Sequence, residues 1–285
     1  MTRCLLWNAR WITTWWLLRA AASARKESAI SASHSLNPFP ASRRLCTALF
    51  EDRFTRLTRV RPLILGHRGS PLLAPENSLE SFRIALEQGA DGIELDVQCT
   101  ADGVLVAHHD EVLPSGEVLN TLPYMELQPA ARRAGFEMPN LADVFQLVAG
   151  RGLLNIELKT AGFEQSLIEL ARRLLPAESY AFSSFEMQAV AECRRLAPDV
   201  PAFLIVFGKR DAERDLKILQ GIGASGIAFE STYAPDELVS IFRYHRYPVF
   251  AWTVNESAEA VRLDRAGVTG LITDEPAKLI KLFTV

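Results

Sequence analysis

Residues 63–110 read LILGHRGSPLLAPENSLESFRIALEQGADGIELDVQCTADGVLVAHHD. Leu63 to Gly66 and Gly92 to Val97 are short apolar runs bounded by turn residues, and Ser78 to Gln88 between them carries helical spacing, so the stretch predicts strand, helix, strand. Thr100-Ala-Asp-Gly is too short to hold a helix, and Val104 to His108 should therefore fold back beside the preceding strand as a hairpin.

Outward from this stretch the alternation continues to the end of the chain. Strands are predicted at 153–158, 180–183, 202–206, 226–229, 249–252 and 270–273. Helices are predicted at 141–149, 163–175, 185–196, 211–220, 235–245, 257–266 and 276–283. With the hairpin strand set aside, eight strand-helix units remain, the signature of an α/β (β/α)8 TIM barrel with an extra strand hairpin. The segment after the second barrel strand, from Glu111 to the Met138-Pro-Asn-Leu entry of the next helix, reads as a short polar insertion leaving an open site.

The polar residues fall where such a barrel places its chemistry. His67, Glu94, Asp96, His109, Glu157, Lys159, Trp252, Asn255 and Asp274 each stand at or just after the C-terminal end of a predicted strand, and these ends gather at one mouth. Glu94 and Asp96 are two apart in a strand, so both leave the same face, while Ile93, Leu95 and Val97 point the other way. Carboxylates in an apolar strand are costly unless a positive charge offsets them. Glu157, in the same pattern on the next barrel strand, can add a third oxygen ligand, and an all-oxygen set suits one divalent cation, Mg²⁺ or Ca²⁺. A plain ion-paired cluster is the alternative. His67 and His109 would face each other across that site as general acid and base. His108 alternates to the opposite face and is expected to pack or face solvent.

Arg68 and Lys159 suit a phosphate, or would balance the acidic cluster. Glu76 is expected to shape the site through His67, Arg68 or substrate hydroxyls. Asn77 is either the cap of the helix that follows, with Glu80 completing a capping box, or a substrate contact.

HRGSPLLAPENS (67–78), ELDVQCTADGVLVAHHD (94–110), NIELK (155–159), FAWTVN (250–255) and GLITDEP (270–276) together resemble the glycerophosphodiester phosphodiesterase family, in order and spacing, over residues 61–285. The resemblance implies a TIM-barrel hydrolase cutting glycerophosphodiesters to sn-glycerol 3-phosphate and an alcohol. His67 and His109 would then be acid and base, Glu94, Asp96 and Glu157 the metal ligands, and Arg68, Lys159, Glu76, Asn77 and Trp252 the substrate contacts. Two other functions stay open: a lipid-directed relative of lysophospholipase D or cyclising type, for which Leu72, Leu73 and Phe185 could form an apolar lip, and a non-catalytic glycerophosphodiester-binding barrel.

The chain has 285 residues, 48% hydrophobic and 23% charged, with a formal net charge of -3, enough to bury a full core. Residues 1–60 differ in kind from the rest. Trp7, Trp11, Trp15 and Trp16 crowd its start, and Arg3, Arg10, Arg19, Arg25, Lys26, Arg43 and Arg44 meet only Glu27 before residue 50, so the body is distinctly acidic. That charge argues against a nucleic-acid partner. Arg10 and Arg19 interrupt the apolar run, so no transmembrane helix is expected. Residues 1–60 are taken as an extension outside the domain. An over-extended start, with initiation near Leu57 or Val60, is preferred over a transit peptide, and a signal peptide fits less well. Cys4, Cys46, Cys99 and Cys193 form no metal pattern, and reduced thiols with a cytoplasmic location are expected.

Overall fold

The computed structural model describes residues 61–284, and all statements of structure concern these. In chain order the elements are β1 (Leu63–Gly66), α1 (Leu79–Glu87), β2 (Gly92–Cys99), β3 (Leu105–Ala107), α2 (Tyr124–Arg133), α3 (Leu141–Val148), β4 (Leu153–Leu158), α4 (Glu164–Leu174) and β5 (Tyr180–Ser184). There follow α5 (Met187–Leu196), β6 (Ala202–Val206), α6 (Ala212–Ile222), β7 (Gly226–Glu230), α7 (Asp236–Tyr244), β8 (Val249–Trp252), α8 (Ser257–Ala266), β9 (Gly270–Thr273) and α9 (Pro276–Phe283).

Eight parallel strands close into a ring in the order β1, β9, β8, β7, β6, β5, β4, β2, with β2 returning to β1 through Leu65↔Gly92 and Gly66↔Ile93. The expected (β/α)8 barrel is thus formed. The hairpin is also as expected: β2 runs past the ring, and β3 pairs antiparallel to its last residues through Val97↔Ala107 and Cys99↔Leu105.

Alternation along the strands sorts two cores. Outward-facing Ile93, Leu95, Val97, Ile156 and Leu158 pack against the helices in the main core. Inward-facing Leu65, Phe203, Ile205, Ala228, Phe250 and Ile272 fill the barrel's lumen, with Phe203 and Phe250 edge to face at 5.1 Å. Each such buried aromatic contributes about 1.5–3 kcal/mol. Two glycines make the room: a Cβ at Gly226 would lie 2.6 Å from the Phe203 ring, and one at Gly270 would lie 2.4 Å from that of Phe250. The lumen floor is therefore dry and apolar, and its polar residues are displaced to the mouth.

The segment after β3 differs from expectation. It is an ordered subdomain with its own core of Val106, Leu113, Leu119, Leu127, Ala130, Ala131 and Met138. Its helix α2 contains Pro129, which removes a backbone donor and masks the helical signal. Leu127, Ala130 and Ala131 nonetheless keep the i, i+3, i+4 spacing of a buried face, and burying that face offsets the roughly 3 kcal/mol cost of an internal proline.

No helix among the described residues is long and apolar enough to cross a membrane. Cys99 and Cys193 are free thiols. The expectations placed on residues 1–60, including Cys4 and Cys46, lie outside the described residues.

Candidate active site

Glu94 and Asp96 both enter the lumen from β2, and the parallel register sets Asp96 beside Glu157 on β4. Oxygens of the three carboxylates lie within 4.8 Å of one another, and all three residues are buried. Glu94 Oε1 and Asp96 Oδ1 have no hydrogen-bond partner. Burial, then the charge of Asp96, pushes the Glu94 carboxyl up to about 8. The same two causes raise Glu157. Burial acts on Asp96 as well, but Lys159, Arg68 and the Asn77 amide outweigh it and hold that carboxyl below its usual range. Closely spaced buried carboxylates cannot all ionise at low cost unless positive charge lies beside them.

Part of that charge belongs to the protein. Lys159 Nζ lies 2.6 Å from Glu157 Oε1 and 3.4 Å from Asp96 Oδ1. Arg68 Nε lies 3.0 Å from Asp96 Oδ2, an ion-pair contact off the hydrogen-bond axis, and its Nη1 donates to both oxygens of Glu76 at 2.8 and 2.9 Å. The Arg68 backbone N–H also donates to Glu94 Oε2 at 3.0 Å. Glu76 thus acts through Arg68, one of the partners expected for it.

Asn77 is not a helix cap. Ser78 takes that position, its hydroxyl accepting from the Ser81 N–H at 3.1 Å. Glu80 pairs with Arg83 instead of closing a capping box. Asn77 is 2% exposed, sits at φ 55, and grips Asp96: its Nδ2 donates to Asp96 Oδ2 at 2.8 Å, and its Oδ1 accepts from the Asp96 N–H at 3.2 Å. Asparagine tolerates this left-handed backbone better than most residues. The turn carries it inward to the carboxylates, so its side chain cannot reach back over α1.

Each histidine is held by a carboxylate. His67, just past β1, places Nδ1 2.7 Å from Asp274 Oδ1, and His109 places Nδ1 2.6 Å from Asp110 Oδ1. In both rings the carboxylate is met by Nδ1 and not by Nε2. Burial would lower His67, but the bond from Asp274 and the charge of Glu94 prevail and raise it. Asn255 fixes Asp274 in turn, donating from Nδ2 to Oδ2 at 2.7 Å and accepting the Asp274 N–H at 2.9 Å. His108 stacks on Phe136 with centroids 5.3 Å apart, the packing role expected for it.

Trp252, at the end of β8, donates Nε1–H to the Ala228 carbonyl at 3.3 Å and meets Phe185 edge to face at 5.6 Å. Phe207 joins them 6.4 Å from Phe185, and Lys159 Nζ stands 5.9 Å from the Phe185 centroid. The mouth therefore joins a charged pocket to an aromatic shelf.

Residues 67–278 match the Glycerophosphoryl diester phosphodiesterase family. The chain belongs to this family. Among curated relatives, the glycerophosphodiester phosphodiesterase of Caldanaerobacter subterraneus is 32% identical over 240 residues, covering 78% of this chain and 98% of the relative. That of Bacillus altitudinis is 30% identical over 239 residues, covering 77% and 97%. Among solved structures, an Oleispira antarctica phosphodiesterase in complex with the product sn-glycerol-3-phosphate superposes with TM-score 0.71 at 25% identity, covering 79% of this chain and 98% of that one. The Thermotoga maritima glycerophosphodiester phosphodiesterase superposes with TM-score 0.68 at 26% identity, covering 78% and 98%.

Among the residues singled out in the sequence, Arg68, Glu76, Asn77, Glu94, Asp96, Glu157 and Lys159 are brought together by direct contacts. Asp274 and Asn255 were recognised as strand-end polar groups but not as a pair serving His67. The signal lies in the topology, since in a closed barrel the last strand must abut the first.

Proposed function

We propose that the protein hydrolyses small glycerophosphodiesters, such as glycerophosphocholine or glycerophosphoethanolamine, to sn-glycerol 3-phosphate and the free alcohol, with a divalent cation held by Glu94, Asp96 and Glu157. The observation that carries this reading is the buried three-carboxylate cluster, in which Glu94 Oε1 is left without a partner, together with two carboxylate-held histidines close enough to interact with its charges. An all-oxygen donor set with an orphaned buried oxygen fits a hard cation such as Mg²⁺ or Ca²⁺. Such a cation supplies Lewis-acid stabilisation of charge on the phosphoryl oxygens.

The chain's own groups supply the rest. Arg68 offers a planar fork of donors to the phosphate, and Lys159 a point charge from β4. One histidine takes the proton of the nucleophile, water or the substrate's own hydroxyl, at Nε2, and the other delivers a proton to the departing alcohol oxygen. Asp274 and Asp110 hold the two rings in the tautomer these transfers need. Glu76 and Asn77 fix Arg68 and Asp96, and Trp252 lines the side of the mouth where the alcohol leaves.

The test is turnover of glycerophosphocholine and glycerophosphoethanolamine after EDTA treatment, then with Mg²⁺ or Ca²⁺ restored, with products followed by phosphorus NMR. Activity lost to EDTA and regained with either ion supports the reading; full activity in EDTA overturns it. A cyclic phosphate among the products would identify the substrate hydroxyl as nucleophile.

A second reading rests on the aromatic shelf. Phe185 is 40% exposed and Phe207 66%, and Leu72 and Leu73 are also exposed. Such a surface suits the acyl chain of a lysophospholipid, giving lysophospholipase D-type cleavage. Comparison of kcat/KM for lysophosphatidylcholine and glycerophosphocholine, in the native protein and in Phe207→Ala, decides between them.

A further inference from the structure

Asn155 occupies the fourth corner of the patch that holds the three carboxylates. In the β2–β4 register Glu94 lies beside Asn155 as Asp96 lies beside Glu157. Leu154, Ile156 and Leu158 pack outward in the main core, so Asn155 and Glu157 share the lumen face of β4. Neighbouring strands run about 4.8 Å apart and alternate residues on one face about 6.7 Å apart, which sets the four positions at the corners of a compact rectangle.

Asn155 Oδ1 is buried without a hydrogen-bond partner, in the same condition as Glu94 Oε1 beside it. Ser183 lies next to Glu157 on β5, is 1% exposed, and its Oγ is likewise unpaired. Unpaired buried oxygens are rare in folded proteins, and here those of Glu94, Asn155 and Ser183 belong to nearby lumen-facing positions of the adjoining strands β2, β4 and β5. A carboxylate at the fourth corner would add a negative charge where three already crowd. An amide presents an oxygen lone pair without that charge.

We propose that Asn155 Oδ1 is a fourth protein oxygen of the cation site, a neutral ligand on the floor of the patch. This rests on the reading of Glu94, Asp96 and Glu157 as cation ligands. Hard divalent ions take amide oxygens alongside carboxylates, and a neutral donor raises the ligand count without deepening the repulsion in the cation-free state.

The test is calorimetric titration of Mg²⁺ and Ca²⁺ into the EDTA-stripped full chain, with the cation-induced rise in melting temperature as a second readout. Asn155→Ala is expected to weaken binding by about 10–100-fold, the range found when groups supporting a metal site are lost. Asn155→Asp, nearly identical in shape, should bind the ions more tightly than the native chain, and Glu94→Gln should abolish binding. Native-like affinity in Asn155→Ala, with Glu94→Gln inactive in binding, overturns the role of Asn155 alone and leaves the amide as the anchor of an internal water. If Asn155→Ala does not fold, unchanged or weaker binding by folded Asn155→Asp overturns it equally. A native chain showing neither heat nor thermal shift overturns the cation reading, and this inference with it.

Discussion

Asp274 Oδ1 lies 2.7 Å from His67 Nδ1, although 207 positions separate the two residues in the chain. The carboxylate is itself fixed by Asn255, so the imidazole ring is held through two successive side chains. Replacing Asp274 with Asn keeps the shape but removes the charge. We expect kcat to fall by on the order of 10²-fold, the scale of one acid–base contribution, with KM little changed. Because the Asp274 bond helps raise His67, the limb of the pH profile due to that ring should move to lower pH in the variant. A limb that stays in place refutes the pairing's role.

Under the proposed cation site, Glu94 is expected to set the pH dependence of binding. Its carboxyl is pushed up to about 8 by burial and by Asp96, so a cation taken up by this cluster is expected to displace a proton at neutral pH. Affinity should therefore rise with pH, steeply below about 8 and little above, and titrations in buffers of different ionisation enthalpy should show close to one proton released at pH 7. For stability the sign is opposite. The folded value lies above the ordinary 4.5, so the contribution of Glu94 is fully present below 4.5 and is lost as pH rises through about 8. Thermal scans of the cation-free protein across that window should show the decline, and added Mg²⁺ or Ca²⁺ should reverse it.

Asn77 joins backbone conformation to the carboxylate cluster. Asn77→Ala loses two buried bonds to Asp96 and puts a less tolerant residue at φ 55, for a combined cost of about 2–4 kcal/mol. Asn77→Gly restores the backbone freedom and not the bonds, so urea unfolding should place it between the native chain and the alanine variant. Both variants should also bind the cation more weakly, since Asp96 loses its lateral support.

Arg68 spans Glu76 and Asp96 with separate nitrogens, a reach that a lysine cannot copy. Arg68→Lys is expected to raise KM for glycerophosphocholine about tenfold, equivalent to about 1.4 kcal/mol of binding, and to leave the fold unchanged by circular dichroism. An unaltered KM would assign Arg68 to charge balance alone.

The strands were legible because period-two alternation in a barrel wall separates helix-facing Ile93, Leu95 and Val97 from lumen-facing Glu94 and Asp96 with little ambiguity. The same alternation put Glu157 beside them before any register was known. Helix α2 was hidden by Pro129, whose local preference is overridden by packing of Leu127, Ala130 and Ala131. An asparagine ahead of a helix ordinarily caps it, which keeps the cap open beside a substrate contact for Asn77 in the sequence, and only the left-handed turn at that residue redirects its side chain. The partnership of His67 with Asp274 depends on ring closure, and the fourth corner at Asn155 depends on a one-residue-exact register between positions 61 apart in the chain. Neither leaves a local trace.

The seam where β1 meets β9 has a consequence for synthesis. A chain leaving the ribosome exposes His67, both β2 carboxylates and His109 early, yet the group that holds His67 arrives on the last barrel strand. The His67 ring therefore cannot reach its held position early: its contact with Asp274 waits until the final strand docks beside β1, and a chain cut short before Asp274 would leave the ring without that partner even with Glu94, Asp96 and His109 in place.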